Sequence, residues 1–263
     1  MHPALLALDF DGVVCDGVAE MVESSGRALG ELAPPAPELT DELRARFGAL
    51  RPAIESGWEM VVLLGLLAER HPSQDGLLRD GRAWAEARDA YVGSRGLTPS
   101  GIARTFDAVR DRWIAEDEQG WLNRHRFYPG VADWLARLVA EGQLVYILST
   151  KSKQFLTALL AWQCPAFPRD RVIGRAEPRR DKWDVLRELA AAHGVAAPDV
   201  WFVEDRLATL LEMRERAPDF PARLFFAEWG YVFADVDVPA ARAAGIPVLS
   251  LARATGPFER WSA

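Results

Sequence analysis

Only two cysteines, Cys15 and Cys164, occur in the chain, and they form no CxxC pair, so neither a disulfide framework nor a cysteine-based metal centre is available. Two unpaired thiols fit a reducing compartment. The four histidines are scattered, which argues against zinc. Long apolar runs are missing as well: Ala4–Leu8 and Met60–Ala68 are the longest, far short of the roughly 20 residues a membrane helix needs. The first runs straight into acids rather than a cleavage site, and the expected address is the cytoplasm. Basic residues are the minority, 31 against 38 acids, for a net charge of −7. That balance predicts no nucleic-acid partner and no membrane partner, whereas a small anionic substrate needs only a local basic pocket.

With 263 residues, 49% of them hydrophobic and 26% charged, the chain can bury one large core, or a core and a smaller domain. From Gly17 to about Asn123 the apolar spacing is helical, as in Glu59–Arg70 and Thr105–Ala115, with no strand expected. Proline-rich Glu31–Glu38 (ELAPPAPE) and Leu97–Gly101 (LTPSG) read as turns between helices. After Phe127–Gly130 the rhythm changes. Helices expected at Val131–Ala140, Lys182–His193 and Pro239–Ala244 alternate with strands at Gln143–Leu148, Val172–Ile173, Val200–Val203, Arg223–Phe226 and Ile246–Leu249. Short apolar strands separated by helices predict a mainly parallel sheet covered on both faces. A first strand in Leu5–Leu8 is expected to join it. Residues 17–123 then form an insertion in a core made of residues 1–16 and 124–263.

The run Leu5–Asp16 (LLALDFDGVVCD) ends an apolar strand in two carboxylates, Asp9 and Asp11. Acids two apart leave a strand end on the same side, and Gly12 permits a sharp turn. The carboxyl edge of an open α/β sheet is where such folds keep their sites. Three further segments adjoin predicted strand ends: Tyr146–Lys151 (YILSTK), Arg179–Leu186 (RRDKWDVL) and Val200–Arg206 (VWFVEDR). In this order, the four segments resemble the motifs of the haloacid dehalogenase (HAD) superfamily of aspartyl-nucleophile phosphohydrolases. The resemblance spans essentially the whole core and implies a Rossmann-like α/β fold with an inserted, all-helical cap.

The resemblance makes Asp9 the nucleophile and Asp11 the general acid and base. Haloacid dehalogenases lack this second acid, so carbon–halogen cleavage is disfavoured. A carboxylate facing a phosphoryl group is repelled by roughly 4 kcal/mol per charge pair at about 4 Å and an effective dielectric near 20, so a cation must offset it. Mg²⁺, with Mn²⁺ as a substitute, is the cofactor implied, held by the Asp9 side chain, the Asp11 carbonyl, Glu204 and Asp205. Glu204 stands where Asp or Gly is more usual, and Thr209 and Leu210 occupy the place of a further acid in many relatives. Ser149 matches the hydroxyl that binds phosphate, with Thr150 as the competing choice. Lys151 is either a substrate contact or a solvated lysine at a helix start. Lys182 matches the lysine that neutralises the shared charge, with Arg179, Arg180 and Lys153 as rivals.

The insertion resembles a long C1-type cap. Arg51, in Leu50–Met60 (LRPAIESGWEM), suits an anionic or hydroxylated substrate by forked hydrogen bonding, or else pairs with a nearby acid at a helix turn. The function implied is Mg²⁺-dependent hydrolysis of a small phosphorylated metabolite, a phosphomonoester. A sugar phosphomutase or phosphotransferase and a noncatalytic scaffold of the same fold are the alternatives.

Overall fold

Leu5–Leu8 (β1) is apolar at every position, and all four side chains are fully buried, which suits only a strand covered on both faces. In the computed structural model, which describes residues 2–175 and 180–261, β1 lies inside a six-stranded sheet in which every pairing is parallel. A short antiparallel pair, Cys15–Asp16 (β2) with Arg126–Phe127 (β3), stands apart from it. The other strands are β4 (Leu144–Leu148), β5 (Val172–Ile173), β6 (Val200–Glu204), β7 (Arg223–Ala227) and β8 (Val248–Leu249), in the order β5-β4-β1-β6-β7-β8. This is the mixed α/β architecture expected from the sequence.

The chain divides into two compact units, residues 1–16 with 126–263, and residues 17–125. The second is helical: α1 (Val18–Leu32), α2 (Asp41–Leu50), α3 (Gly57–Glu69), α4 (Gly81–Ser94) and α5 (Pro99–Leu122), with no strand among its described residues. Thr98 caps α5 by accepting from the Gly101 N–H, and Pro99 takes the first turn, where its missing N–H costs nothing. Inside this unit the fully buried Glu20 receives Arg110 Nε and Nη2 at 2.7 and 2.6 Å, and Ser24 Oγ at 2.5 Å. A charge so enclosed is tolerable only with such partners, and it holds α1 to α5.

In the sheet unit, α6 (Val131–Ala140), α7 (Lys153–Gln163), α8 (Lys182–His193), α9 (Leu207–Arg216) and α10 (Ala234–Ala243) connect the strands. Leu5, Ala7, Tyr146, Val200 and Phe202 pack on Val185 and Leu186 of α8 and on Leu210 and Met213 of α9. Trp201 meets Trp261 and Phe225 at ring-centroid distances of 5.5 and 5.0 Å. Two expectations need correction. The last predicted helix begins at Ala234, not Pro239, because the Asp237 carboxylate accepts from the Phe233 N–H at 2.7 Å and starts the helix a turn earlier. The final strand is Val248–Leu249 alone, without Ile246 and Pro247. The β2–β3 pair was not foreseen, since two-residue strands carry no periodicity.

Candidate active site

Parallel register sets the site. Leu8 lies opposite Val203 on β6 and Ile147 on β4, so Asp9, Glu204 and Ser149 leave neighbouring strands near the same level. The Asp9 N–H donates to the Val203 carbonyl at 2.9 Å, and the Ser149 N–H to the Ile173 carbonyl at 3.0 Å, extending both ladders to the edge. At the first turn of α8, Lys182 Nζ donates to Asp9 Oδ1 at 2.8 Å and to Glu204 Oε2 at 2.6 Å. Its ammonium also stands 5.5 Å from the centre of the Phe202 ring. One cation thus bridges acids 195 positions apart in the chain.

Glu204 is fixed from both ends, because its Oε1 accepts the Asp205 and Arg206 N–H groups at 3.1 Å each. Asp205 Oδ2 accepts the Tyr231 N–H at 2.8 Å. Asp205 is also walled by two glycines. A Cβ on Gly12, which has φ +86°, would lie 1.9 Å from Asp205 Oδ2, and one on Gly230 would lie 2.4 Å from Asp205 Cβ and from the Gly12 carbonyl oxygen. Gly230→Ala must therefore push the Asp205 loop aside; we expect a loss of about 1–3 kcal/mol in urea unfolding.

Asp9, Glu204 and Asp205 place carboxylate oxygens within 4.8 Å of one another, all three residues being buried. Burial, together with the charge of Glu204, pushes the Asp9 carboxyl up to about 7 despite Lys182. The same causes, with Asp9 added, hold Asp205 well above the usual carboxylate range. Burial works against Glu204 too, but Lys182 overrides it and holds Glu204 below its ordinary value. Burial alone would depress Lys182; its two acids outweigh that and raise it. With one ammonium for three buried acids, Glu204 keeps its charge against Lys182 while Asp9 and Asp205 are pushed toward their protonated forms. An all-oxygen donor set of this kind suits a hard divalent cation.

Asp11 pairs with a second lysine: Lys151 Nζ donates to its Oδ1 at 2.9 Å. The solvated reading of Lys151 is corrected here, because its side chain is 6% exposed and α7 starts only at Lys153. Ser149 is buried and its Oγ accepts the Lys151 N–H at 3.2 Å, so the hydroxyl proton remains for an anion. Thr150 is exposed beside it. Of the rivals to Lys182, Arg180 pairs with Glu188, Lys153 is exposed on α7, and Arg179 lies outside the described residues. Where a further acid was sought, Leu210 is core. In the helical unit, Arg51 donates to the Ile54 carbonyl at 3.1 Å and lies 3.3 Å from Met21 Sδ.

Two contributors were missed in sequence. The Ala227–Tyr231 segment, read as structure only, supplies the amide and the glycine at Asp205, and Trp229 Nε1 donates to the Val13 carbonyl at 3.1 Å. Backbone donors leave no side-chain signature; the adjacent Trp-Gly-Tyr was the only available hint. Tyr128 is the second, its phenol held far above its usual value by burial and then by Asp16 and Asp205. Burial likewise raises the Cys15 thiol, consistent with a packed, unreactive sulfur.

No protein-family model matches the chain, and no curated protein matches it in sequence. Solved structures do. A candidate phosphoglycolate phosphatase from Lactobacillus delbrueckii subsp. bulgaricus is 15% identical with a TM-score of 0.62, covering 96% of each chain. A haloacid dehalogenase-like family hydrolase from Streptococcus pneumoniae is 15% identical at 0.58, covering 95% of this chain and 94% of its own. A predicted phosphoglycolate phosphatase from Haemophilus somnus is 14% identical at 0.58, covering 92% of each. At such identity the likeness speaks for architecture: the chain has the fold of the haloacid dehalogenase-like hydrolases.

Proposed function

We propose that the chain is a phosphomonoester hydrolase in which Asp9 becomes phosphorylated. The observation that carries this reading is the Lys182 ammonium shared between Asp9 and Glu204, since a carboxylate can approach a phosphoryl group only where a cation offsets the repulsion. Asp9 Oδ2, the oxygen not taken by Lys182, attacks phosphorus. The bond from phosphorus to the ester oxygen breaks, and the departing oxygen takes a proton from Asp11. Asp11 then removes a proton from water as it attacks the aspartyl phosphate, releasing inorganic phosphate and restoring Asp9. Ser149 donates its hydroxyl proton to a phosphoryl oxygen, and Lys182 neutralises charge throughout.

Asp9, Glu204 and Asp205, with the Asp11 carbonyl, would hold Mg²⁺ or Mn²⁺, which when bound supplies Lewis-acid charge neutralisation at the phosphoryl group. The helical unit is assigned the role of a cap, with Arg51 as its proposed substrate contact, and the substrate class is a small phosphorylated metabolite. Two structural neighbours described as phosphoglycolate phosphatases support that class.

We expect Mg²⁺-dependent turnover of p-nitrophenyl phosphate, with a pre-steady-state burst of p-nitrophenol approaching one per protein. Chelation should abolish it. No turnover of a broad panel of phosphate esters in saturating Mg²⁺ would sink the reading and favour a scaffold. Transfer to a sugar hydroxyl in place of water would mark a mutase.

A further inference from the structure

Three consecutive residues after β7, Trp229, Gly230 and Tyr231, each reach a different point of the framework around the acids. Trp229 Nε1 donates to the Val13 carbonyl at 3.1 Å, one residue beyond Gly12. Gly230 comes so close that a Cβ on it would lie 2.4 Å from the Gly12 carbonyl oxygen and 2.8 Å from Asp205 Oδ2. The Tyr231 N–H donates to that same Oδ2 at 2.8 Å, and its hydroxyl stands 3.4 Å from Asp16 Oδ1. The segment is itself anchored. The Glu228 N–H donates to the Leu249 carbonyl at 3.1 Å, extending the β7–β8 ladder, and the Gly230 and Val232 N–H groups close a tight turn on the Ala227 and Gly230 carbonyls. The loop it grips is equally fixed: the Phe10 carbonyl accepts from the Val14 and Cys15 N–H groups at 2.9 Å each, and the Gly12 N–H donates to the Cys15 carbonyl at 2.9 Å.

We propose that residues 229–231 are a clasp, with Trp229 as its positioning residue. The clasp sets the spacing between Asp205 and the turn that carries the Asp11 carbonyl, two proposed sources of metal-binding oxygen that follow separate strands. This inference rests on the hydrolase reading above. The β1–β6 pairing ends at Leu8 and Val203, with the Asp9 N–H as its last rung among the described residues, so Asp205 and the turn at Gly12 lie past the sheet. There the clasp does what the ladder does below it, tying one chain segment to the other. Precision matters at this place, because a carboxylate and a carbonyl that meet one Mg²⁺ must both approach to about 2.0–2.1 Å in near-octahedral geometry. Partners that orient metal ligands without touching the metal typically carry about 10–100-fold of its affinity.

The test reads the metal directly. Trp229→Phe keeps an aromatic ring at this half-buried position and removes only the donor to Val13, and Tyr231→Phe removes the hydroxyl near Asp16. In titrations of the whole protein with Mn²⁺ alone, followed by the electron paramagnetic resonance signal of the free ion, Trp229→Phe should raise the dissociation constant about 10-fold and Tyr231→Phe a few-fold. With p-nitrophenyl phosphate, the Mg²⁺ concentration giving half-maximal rate should rise about 10-fold in Trp229→Phe, while saturating Mg²⁺ returns kcat to within a few-fold of wild type. Melting in chelator, followed by circular dichroism, should show both variants folded; were Trp229→Phe to unfold, the Mn²⁺ affinity of Tyr231→Phe decides. Mn²⁺ affinity unchanged from wild type in the folded variants would overturn the proposal and leave Trp229 a packing residue. A loss of kcat that saturating Mg²⁺ does not recover would overturn it as well. A wild-type protein that binds neither Mn²⁺ nor Mg²⁺ would instead defeat the metal site of the hydrolase reading, and the inference with it.

Discussion

Asp9→Asn should abolish phosphatase turnover, by at least about 10⁴-fold, and at the same time stabilise the metal-free protein. The amide cannot form an acyl phosphate, but its oxygen can still accept the Lys182 hydrogen bond. In the native protein the carboxyl is pushed from 3.8 up to about 7 by burial and by Glu204. The folded state therefore holds that proton more tightly than the unfolded chain, so the contribution of Asp9 to stability is fullest below pH 4 and is lost as pH rises to about 7. At about 1.4 kcal/mol per pH unit, that is a cost of up to about 4 kcal/mol above pH 7. That figure already contains the attraction of Lys182, so we expect the variant to be about 2–4 kcal/mol more stable at pH 8 in chelator. The gap should close at pH 4. Because Glu204 titrates in both proteins with the opposite sign, it is the difference between their pH curves that reports Asp9. Equal stability of the two proteins from pH 4 to pH 8 would contradict the electrostatic account of the site. Added Mg²⁺ should stabilise the native protein increasingly as pH rises and do little for the variant.

Lys182→Met should act in the opposite direction on stability. Removing the ammonium strands Asp9 and Glu204 in a buried place beside Asp205, and breaking a buried pair from one side costs about 3–5 kcal/mol. Glu204, now without the charge that holds it below its ordinary value, would take up protons more readily. The destabilisation should thus be largest above pH 7 and shrink toward pH 4, which chemical denaturation at several pH values can follow. Turnover should fall by about 10²–10³-fold in kcat. A loss confined to KM would indicate that Lys182 binds substrate without neutralising charge in the transition state. Lys182→Arg is not a mild control, because a planar fork cannot occupy the space of a compact ammonium between two carboxylates.

The sequence carries the fold where periodicity is strong. Val131–Ala140 and Lys182–His193 are helices with the bounds their apolar spacing suggests, and the strands at 172–173, 200–204 and 223–227 lie where short apolar runs follow polar turns. Asp9, Lys182, Glu204 and Asp205 could be nominated because charged residues at the ends of buried strands or at a helix start are chemically conspicuous. What stayed hidden was everything done by main chain or by register. The Tyr231 N–H on Asp205, the paired glycines at 12 and 230, and the short β2–β3 pair depend on which backbones meet, and no residue type encodes that. The pairing of Lys151 with Asp11 was hidden for another reason: a lysine near a helix start is ordinarily solvated.

The place of β1 between β4 and β6 bears on how the protein is made. Its neighbours on the two sides are residues 144–148 and 200–204, so during synthesis at about 5–20 residues per second the strand stays unpaired on the order of ten seconds. The helical unit emerges whole in that interval and has its own interior to bury. A ribosome-bound chain thus carries the whole helical segment and, ahead of it, an adhesive apolar ribbon ending in Asp9. Shielding that ribbon from other nascent chains is the task that cellular folding factors would have to perform for this protein.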